Sequence, residues 1–314
     1  MLKQLKTTRL FGIVVLTILV LGMFVSSAGA SFGIEQESQK FAVLIAIDCY
    51  QDEHLRSLQY CKSDALALKE TLIAGGVKEN NIILMTDDTI VPSLQPTKKN
   101  IQNILAVIES QAKEGDMIFF SFSGMAGNYD GSSMLMPMDS EFYRNQWLGG
   151  LRVQEVLDTL GRSKAATRLL VLDTCLGGSN TTPLILPKKT AILLAATCGG
   201  TAYESPEFQG SVFTHYMIRG LQGEADTIGD ENGKVDLTEL FHFVKTCMAK
   251  HEEYMRPQIP GLMVSNDVED IFGLEIVKLP NSTPKTGSVT IEPIPDSESQ
   301  TEAEFENRVQ QGAK

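Results

Sequence analysis

The sequence predicts an α/β fold, with a mostly parallel central sheet layered between helices on both faces. Three observations carry this prediction. Five short apolar runs, at residues 41–48, 82–87, 117–123, 169–173 and 191–197, are continuous instead of alternating, as strands buried on both faces tend to be. Segments with apolar residues three and four apart lie between them, at 63–74, 97–113 and 153–160, so strand and helix alternate along the chain. The 314 residues, 43% of them hydrophobic, suffice to bury a sizeable core.

The elements follow in order from the N-terminus. Lys3, Lys6 and Arg9 precede an apolar run at 10–25 and the small residues Ala28, Gly29 and Ala30. That is the layout of a secretory signal peptide cleaved after Ala30. The alternative is an uncleaved anchor, but the run is shorter than the ~20 residues a spanning helix needs. The protein is therefore expected to be exported, periplasmic or secreted, with no stable membrane span after cleavage. Residues 31–40 read as a linker and 41–278 as the folded domain, opened by the strand "FAVLIAID". After the fifth strand, 212–221 and 237–248 read as helices, the second started by a capping box of Asp236 and Glu239. Residues 279–314, rich in Pro, Ser, Thr and Glu, read as a disordered tail with one short strand near Val289.

The net charge of −12 becomes −15 when residues 1–30, with three basic and no acidic side chains, are removed. Such a surface argues against nucleic acid and anionic membranes as partners and favours basic peptides. Cys49, Cys61, Cys175, Cys198 and Cys247 show neither a C-x-x-C pair nor metal-ligand spacing, and their number is odd. A disulfide framework is not expected, and at least one thiol must be unpaired within the chain. No cofactor or metal is expected either. The stretch "GDENGKVDLTEL" is similar to a calcium loop at Asp230, Asn232, Gly233, Asp236 and Glu239, but Ile228 stands at the first ligand position. It reads as a turn at Asn232 and Gly233 leading into the capped helix.

In open parallel sheets, sites form outside the carboxyl ends of the strands. The run 117–123 is followed by "GMAG" and the run 169–173 by "TCLGG". If these strands are neighbours, about 4.8 Å apart, Met125 and Cys175 face one crevice.

The segments "FAVLIAIDCY", "YCKSDALALKETL", "GDMIFFSFSG", "LLVLDTCLGG", "AAT" with "AYES", and "GSVFTHYMIRGL" stand in the order found in the caspase and metacaspase superfamily of cysteine peptidases. Over about residues 41–263 the chain resembles its bacterial metacaspase-like branch. The resemblance implies a caspase-like layered fold and puts the nucleophile at Cys175, where relatives read Asp-x-Cys-His-Ser-Gly. Taken alone, Cys175 is equally a small buried residue closing a strand. The catalytic histidine of relatives, in Ser-Gly-His-Gly, falls on Met125, and the following glycine on Ala126, whose backbone N–H is the oxyanion-hole position. A Cβ at Ala126 is expected to conflict with the backbone angles needed there. A thioether carries no exchangeable proton, whereas acid–base assistance is worth ~10²–10⁴ in rate. Of the four histidines, His54, in the loop after the first strand, is the one candidate substitute. His215 and His242 read as packing or surface residues, and His251 as a complement to a helix dipole.

The resemblance further implies an acidic pocket for Arg or Lys, formed by Cys61, Asp64, Ser123 and Asp173. Two carboxylates facing one cleft suit a cation; the alternative is that Asp64 caps a helix and Asp173 merely ends a strand. The loop 176–189 carries Pro187, Lys188 and Lys189, either a processing site for a basic-specific protease or a solvated surface loop. The expected function is that of a pseudopeptidase of cysteine endopeptidase ancestry. It would hold peptide or protein segments containing Arg or Lys, or partner active caspase-like relatives. The alternative is an active Arg- or Lys-specific cysteine endopeptidase, and a thiol redox or scaffold role comes third.

Overall fold

A computed structural model describes residues 37–144, 146–176, 182–197, 199–251, 258–267 and 271–280, and the folded unit begins at Ser38. The expected signal peptide and the tail with its strand near Val289 lie outside the described residues.

The chain runs β1 (Lys40–Ala46), α1 (Cys61–Ala74), β2 (Ile82–Thr86), α2 (Lys98–Gln111) and β3 (Met117–Ser123). An excursion follows, of β4 (Ala126–Tyr129), β5 (Ser132–Leu135), β6 (Glu141–Tyr143), β7 (Gln146–Leu148) and β8 (Leu151–Arg152). Next come α3 (Val153–Arg162), β9 (Thr167–Asp173), β10 (Thr190–Leu194), β11 (Glu204–Ser205), β12 (Gly210–Ser211) and α4 (Val212–Arg219). The last described elements are α5 (Ala225–Ile228), β13 (Lys234–Asp236), α6 (Leu237–Ala249), β14 (Gly261–Val264) and β15 (Glu275–Lys278).

The central sheet has the order β14-β10-β9-β3-β1-β2. Five strands are parallel, and β14 pairs antiparallel with β10 at one edge. All five parallel strands are among the runs predicted from continuous hydrophobicity. Side chains divide by the period of two that a strand imposes. Ala42, Leu44, Phe119, Leu169 and Val171 enter one core with α1, α4 and α6. Val43, Ile45, Phe120, Phe122, Leu170 and Leu172 enter the other with α2 and α3. The mostly parallel sheet with helices on both faces is thus the architecture of the folded unit.

Helix starts are specified locally. Thr97 caps α2 by accepting from Asn100 N–H, and Ser211 caps α4 by accepting from Thr214 N–H. Asp236 and Glu239 form the expected capping box at α6. The start of α1 is served from a distance. Asp48 accepts from Cys61 and Lys62 N–H, and Glu204 from Gln59 and Tyr60 N–H.

Three expectations need correction. The helix expected at 212–221 is α-helical only to Arg219, then widens into a π turn over Gly220–Glu224 with Gly223 at φ 116°. The fifth strand stops at Leu194, because Thr197 N–H turns away to Ile259 O. The described part of the loop 176–189 is docked onto the core and is not simply solvated. Leu184 and Leu186 pack on the core, Gln154 brackets the Ile185 N–H and C=O at 2.9 Å each, and Lys189 N–H reaches Asp267. Among the described residues, no helix is long and apolar enough to cross a membrane.

Candidate active site

The site grows out of one rung of the sheet. Ser123 at the end of β3 stands opposite Asp173 at the end of β9. Gly124 N–H extends this ladder weakly to Asp173 O at 3.4 Å. Met125 and Cys175 therefore leave the rim at the same offset, and both line one cavity of about 410 Å³. Cys61, Asp64, Ser123, Ala126 and Asp173 line it too. All seven sequence-predicted site residues converge on this cavity.

Cys175 is half-buried, and its Sγ accepts the Ala202 N–H at 3.0 Å. Its thiol is free, as are those of Cys49, Cys61 and Cys247. Cys198 lies outside the described residues.

Met125 is held by its backbone: its N–H donates to Tyr50 Oη at 2.6 Å, and its C=O accepts from Met136 N–H at 3.0 Å. Burial pushes the Tyr50 hydroxyl's pKa up. A Cβ on Gly124 would lie 2.8 Å from that oxygen, so the approach needs glycine there. The Met125 side chain packs on a cluster of Leu55, Met134 and Met136. Ala126 lies in extended β4 and is not among the positive-φ residues. Ala126 itself is accommodated there, since extended backbone accepts any side chain.

At the acidic end, Asp64 Oδ2 accepts Ser211 N–H at 2.8 Å. Its carboxyl is pushed up to about 8, first by burial and then by the charge of Asp173. Asp173 Oδ2 accepts from Thr214 Oγ1 at 2.6 Å, and burial raises its pKa as well. Both acids thus brace the first turn of α4 while lining the cavity. Asp64 makes no capping bond to α1. Cys61 is buried beside Ser123, its hydrogen-bond partner, and burial pushes its thiol's pKa up.

None of the four histidines lines the cavity. His54 is committed elsewhere: its Nδ1 and backbone N–H both meet Asp52 Oδ1 at 2.8 Å, and its ring packs on Phe142. His215 stacks on Phe208 at 3.9 Å, and His251 lies against the same ring.

Arg56, Thr174 and Glu204 also line the cavity and were not read from the sequence. Glu204 falls within "AYES", a motif quoted for its order alone.

Among the described residues, two side-chain groups bring metal-type ligand atoms within 4.8 Å of one another: Asp48, Cys61 and Glu204, and Asp226, Asp230 and Glu239. In the second, Asp226 supplies the carboxylate missing at Ile228. Its members are already engaged by nearby backbone, Gly233 N–H on Asp226 and the N–H groups of Asp230 and Asp236 on Glu239. The Asn232 and Gly233 turn into α6 forms as expected, with Gly233 at φ 83°.

Residues 39–271 match the family model of peptidase C14, the caspase domain. The chain belongs to this family. Curated relatives are metacaspases. Metacaspase-1 of Plasmodium falciparum is 34% identical over 90 residues, 28% of this chain and 14% of the relative. Metacaspase-1 of Eremothecium gossypii is 31% identical over 150 residues, 44% of this chain and 32% of the relative. Metacaspase-9 of Arabidopsis thaliana is 32% identical over 93 residues, 29% of this chain and 28% of the relative. The matched segments therefore span at most about a third of these relatives' own lengths. Among solved structures, protein GSU0716 from Geobacter sulfurreducens superposes with a TM-score of 0.53 at 13% identity. The match covers 77% of this chain and all of that one, a likeness of fold alone.

In this caspase domain the cavity offers a thiol and two buried carboxylates. The group opposite the thiol is a thioether, which accepts hydrogen bonds only weakly and cannot carry a proton.

Proposed function

We propose that this caspase domain is a pseudopeptidase: a module that binds peptide or protein segments through an Arg or Lys side chain and does not cleave them efficiently. The observation that carries the reading is Met125, opposite Cys175 in a cavity that no histidine lines. Thiol proteolysis needs one group that raises the thiolate fraction and then protonates the leaving amine. An unassisted thiol is only a few per cent ionised at neutral pH. Supporting the binding half are Asp64 and Asp173, two carboxylates in a cavity where, among the described residues, Arg56 is the one basic lining residue. Active relatives that present basic loops would meet the same requirement. The reading includes export, supported by the basic, apolar and small-residue order of residues 1–30.

The test is turnover of Arg- and Lys-ended fluorogenic peptides by the purified chain at neutral and alkaline pH, beside Cys175→Ala. Equal, background rates are expected. Turnover that disappears in Cys175→Ala would instead make the protein an active basic-specific endopeptidase.

A further inference from the structure

The cavity wall formed by Met125 borders an apolar cluster whose centre is buried and whose half-buried rim, Met125, Tyr129 and Trp147, forms a shelf. Met125 lines the cavity with Asp64 and Asp173 and also packs on Leu55, Met134 and Met136. Tyr129 and Trp147 border the same cluster, both half-buried. Gly127 makes this possible. A Cβ there would lie 3.0 Å from Met136 Cε and 3.7 Å from the Trp147 ring, so both side chains close onto bare backbone. Trp147 in turn packs on Phe142 across the β6–β7 hairpin, ring centroids 4.5 Å apart. The same hairpin exposes Tyr143 (55%) and Leu148 (42%).

The Met125 backbone is fixed at both its N–H and its C=O, which leaves the thioether as the adaptable part. Methionine is unbranched and polarisable, suited to an apolar surface that must accept more than one shape. An acidic floor beside a methionine wall, with an indole on the same apolar cluster, fits a ligand that is cationic at one residue and apolar close by. In an extended peptide, residues i and i+2 face the same side.

We propose that cavity and shelf form one composite site for an extended segment in which Arg or Lys is accompanied, within two residues, by a large apolar side chain lying on Met125 and Trp147. This rests on the basic-segment reading above and names the second half of the recognised pattern. In it, Met125 is a binding residue where a proton carrier would otherwise stand.

The experiment is fluorescence anisotropy of the full chain with labelled pentapeptides of central Arg. Leu or Ser is placed in turn at each flanking position, with a central-Glu series in parallel. At one flanking position or more, Leu should bind about tenfold tighter than Ser. Met125→Leu should keep that gain, whereas Met125→Gln and Trp147→Ala should lose it while still preferring Arg to Glu. If Arg peptides bind but no position separates Leu from Ser by more than twofold, the shelf is not part of the site. Retention of the gain in Met125→Gln would have the same meaning. If Arg and Glu peptides bind alike, the basic-segment reading itself fails and takes the composite site with it. A wild-type dimer that Trp147→Ala dissociates would show a second copy covering the shelf, and would also overturn the proposal.

Discussion

Met125 and Cys175 leave the sheet at matched positions, each two residues beyond the rung where Ser123 faces Asp173. This register makes one substitution informative. A side chain at position 125 starts from a backbone fixed by Tyr50 and Met136, on the wall of the thiol's own cavity. Met125→His, alone and with Ala126→Gly, is therefore expected to create Cys175-dependent cleavage of Arg-ended peptides. The gain should lie within the ~10²–10⁴ of acid–base assistance. Initial rates for both variants, each with and without Cys175→Ala, check it. Silence from both would mean that the binding half is damaged as well.

Asp64 ties ligand binding to protons. Its carboxyl, pushed up to about 8 by burial and then by Asp173, with Glu204 and Asp48 adding in the same sense, holds a proton at neutral pH while the cavity is empty. A cationic side chain favours the ionised form, so binding should expel up to about one proton between pH 4 and 8, and none well above that. Titration calorimetry at pH 6.5 and 9.5, in buffers of different ionisation enthalpy, measures this directly.

The same group predicts the direction of a stability change. The folded-state pKa lies above the ordinary aspartate value of 3.8, so the folded form binds the proton more tightly than the unfolded form. Its contribution is fully present below pH ~4 and is lost as pH rises toward about 8. Wild type should therefore lose more melting temperature than Asp64→Asn over that interval. Parallel pH slopes for the two proteins would contradict the assignment.

What the sequence made legible follows from burial. Strands covered on both faces must be apolar throughout, so all five parallel strands stood out, and the crevice between β3 and β9 followed from the sites of open sheets. The five strands of two to four residues between β3 and α3 did not, because strands so short, several with half-exposed or exposed residues, show no sustained period. Arg56 and Glu204 join the cavity from loops and a two-residue strand, where local sequence carries no directional signal. The docking of Leu184 and Leu186 was hidden because two leucines in a Pro- and Lys-containing loop read as polar context. For Ala126 the expectation was drawn from the missing glycine, and the backbone it occupies is extended.

Arg168 shows how the far end of β9 is held. Its buried guanidinium donates to the carbonyls of Leu160, Ser163, Ala165 and Lys188, and burial lowers its pKa. Arg168→Met would strand those acceptors, at a cost of about 3–5 kcal/mol. In a domain of this size that is a fall in melting temperature on the order of 10 °C. Differential scanning calorimetry checks it. Arg168→Lys should recover only part of the loss, because one ammonium cannot reach carbonyls spread around a planar fork.

Two glycines separate stability from recognition. A Cβ on Gly210 would lie 2.6 Å from Asp64 Oδ1, and that carboxylate has little freedom because Ser211 N–H holds its other oxygen. A Cβ on Gly161 would lie 2.6 Å from Pro187 Cγ, in a contact between α3 and the docked loop whose residues are absent from the cavity lining. Both substitutions overpack and should each cost about 1–3 kcal/mol. Only Gly210→Ala should also weaken binding of Arg peptides, by about tenfold, because it displaces one of the two carboxylates that would face the cation. Melting curves and anisotropy on the same two preparations make the comparison. Equal losses of affinity would mean that the acidic floor does not select the ligand, since a displaced Asp64 would then matter no more than a disturbed loop.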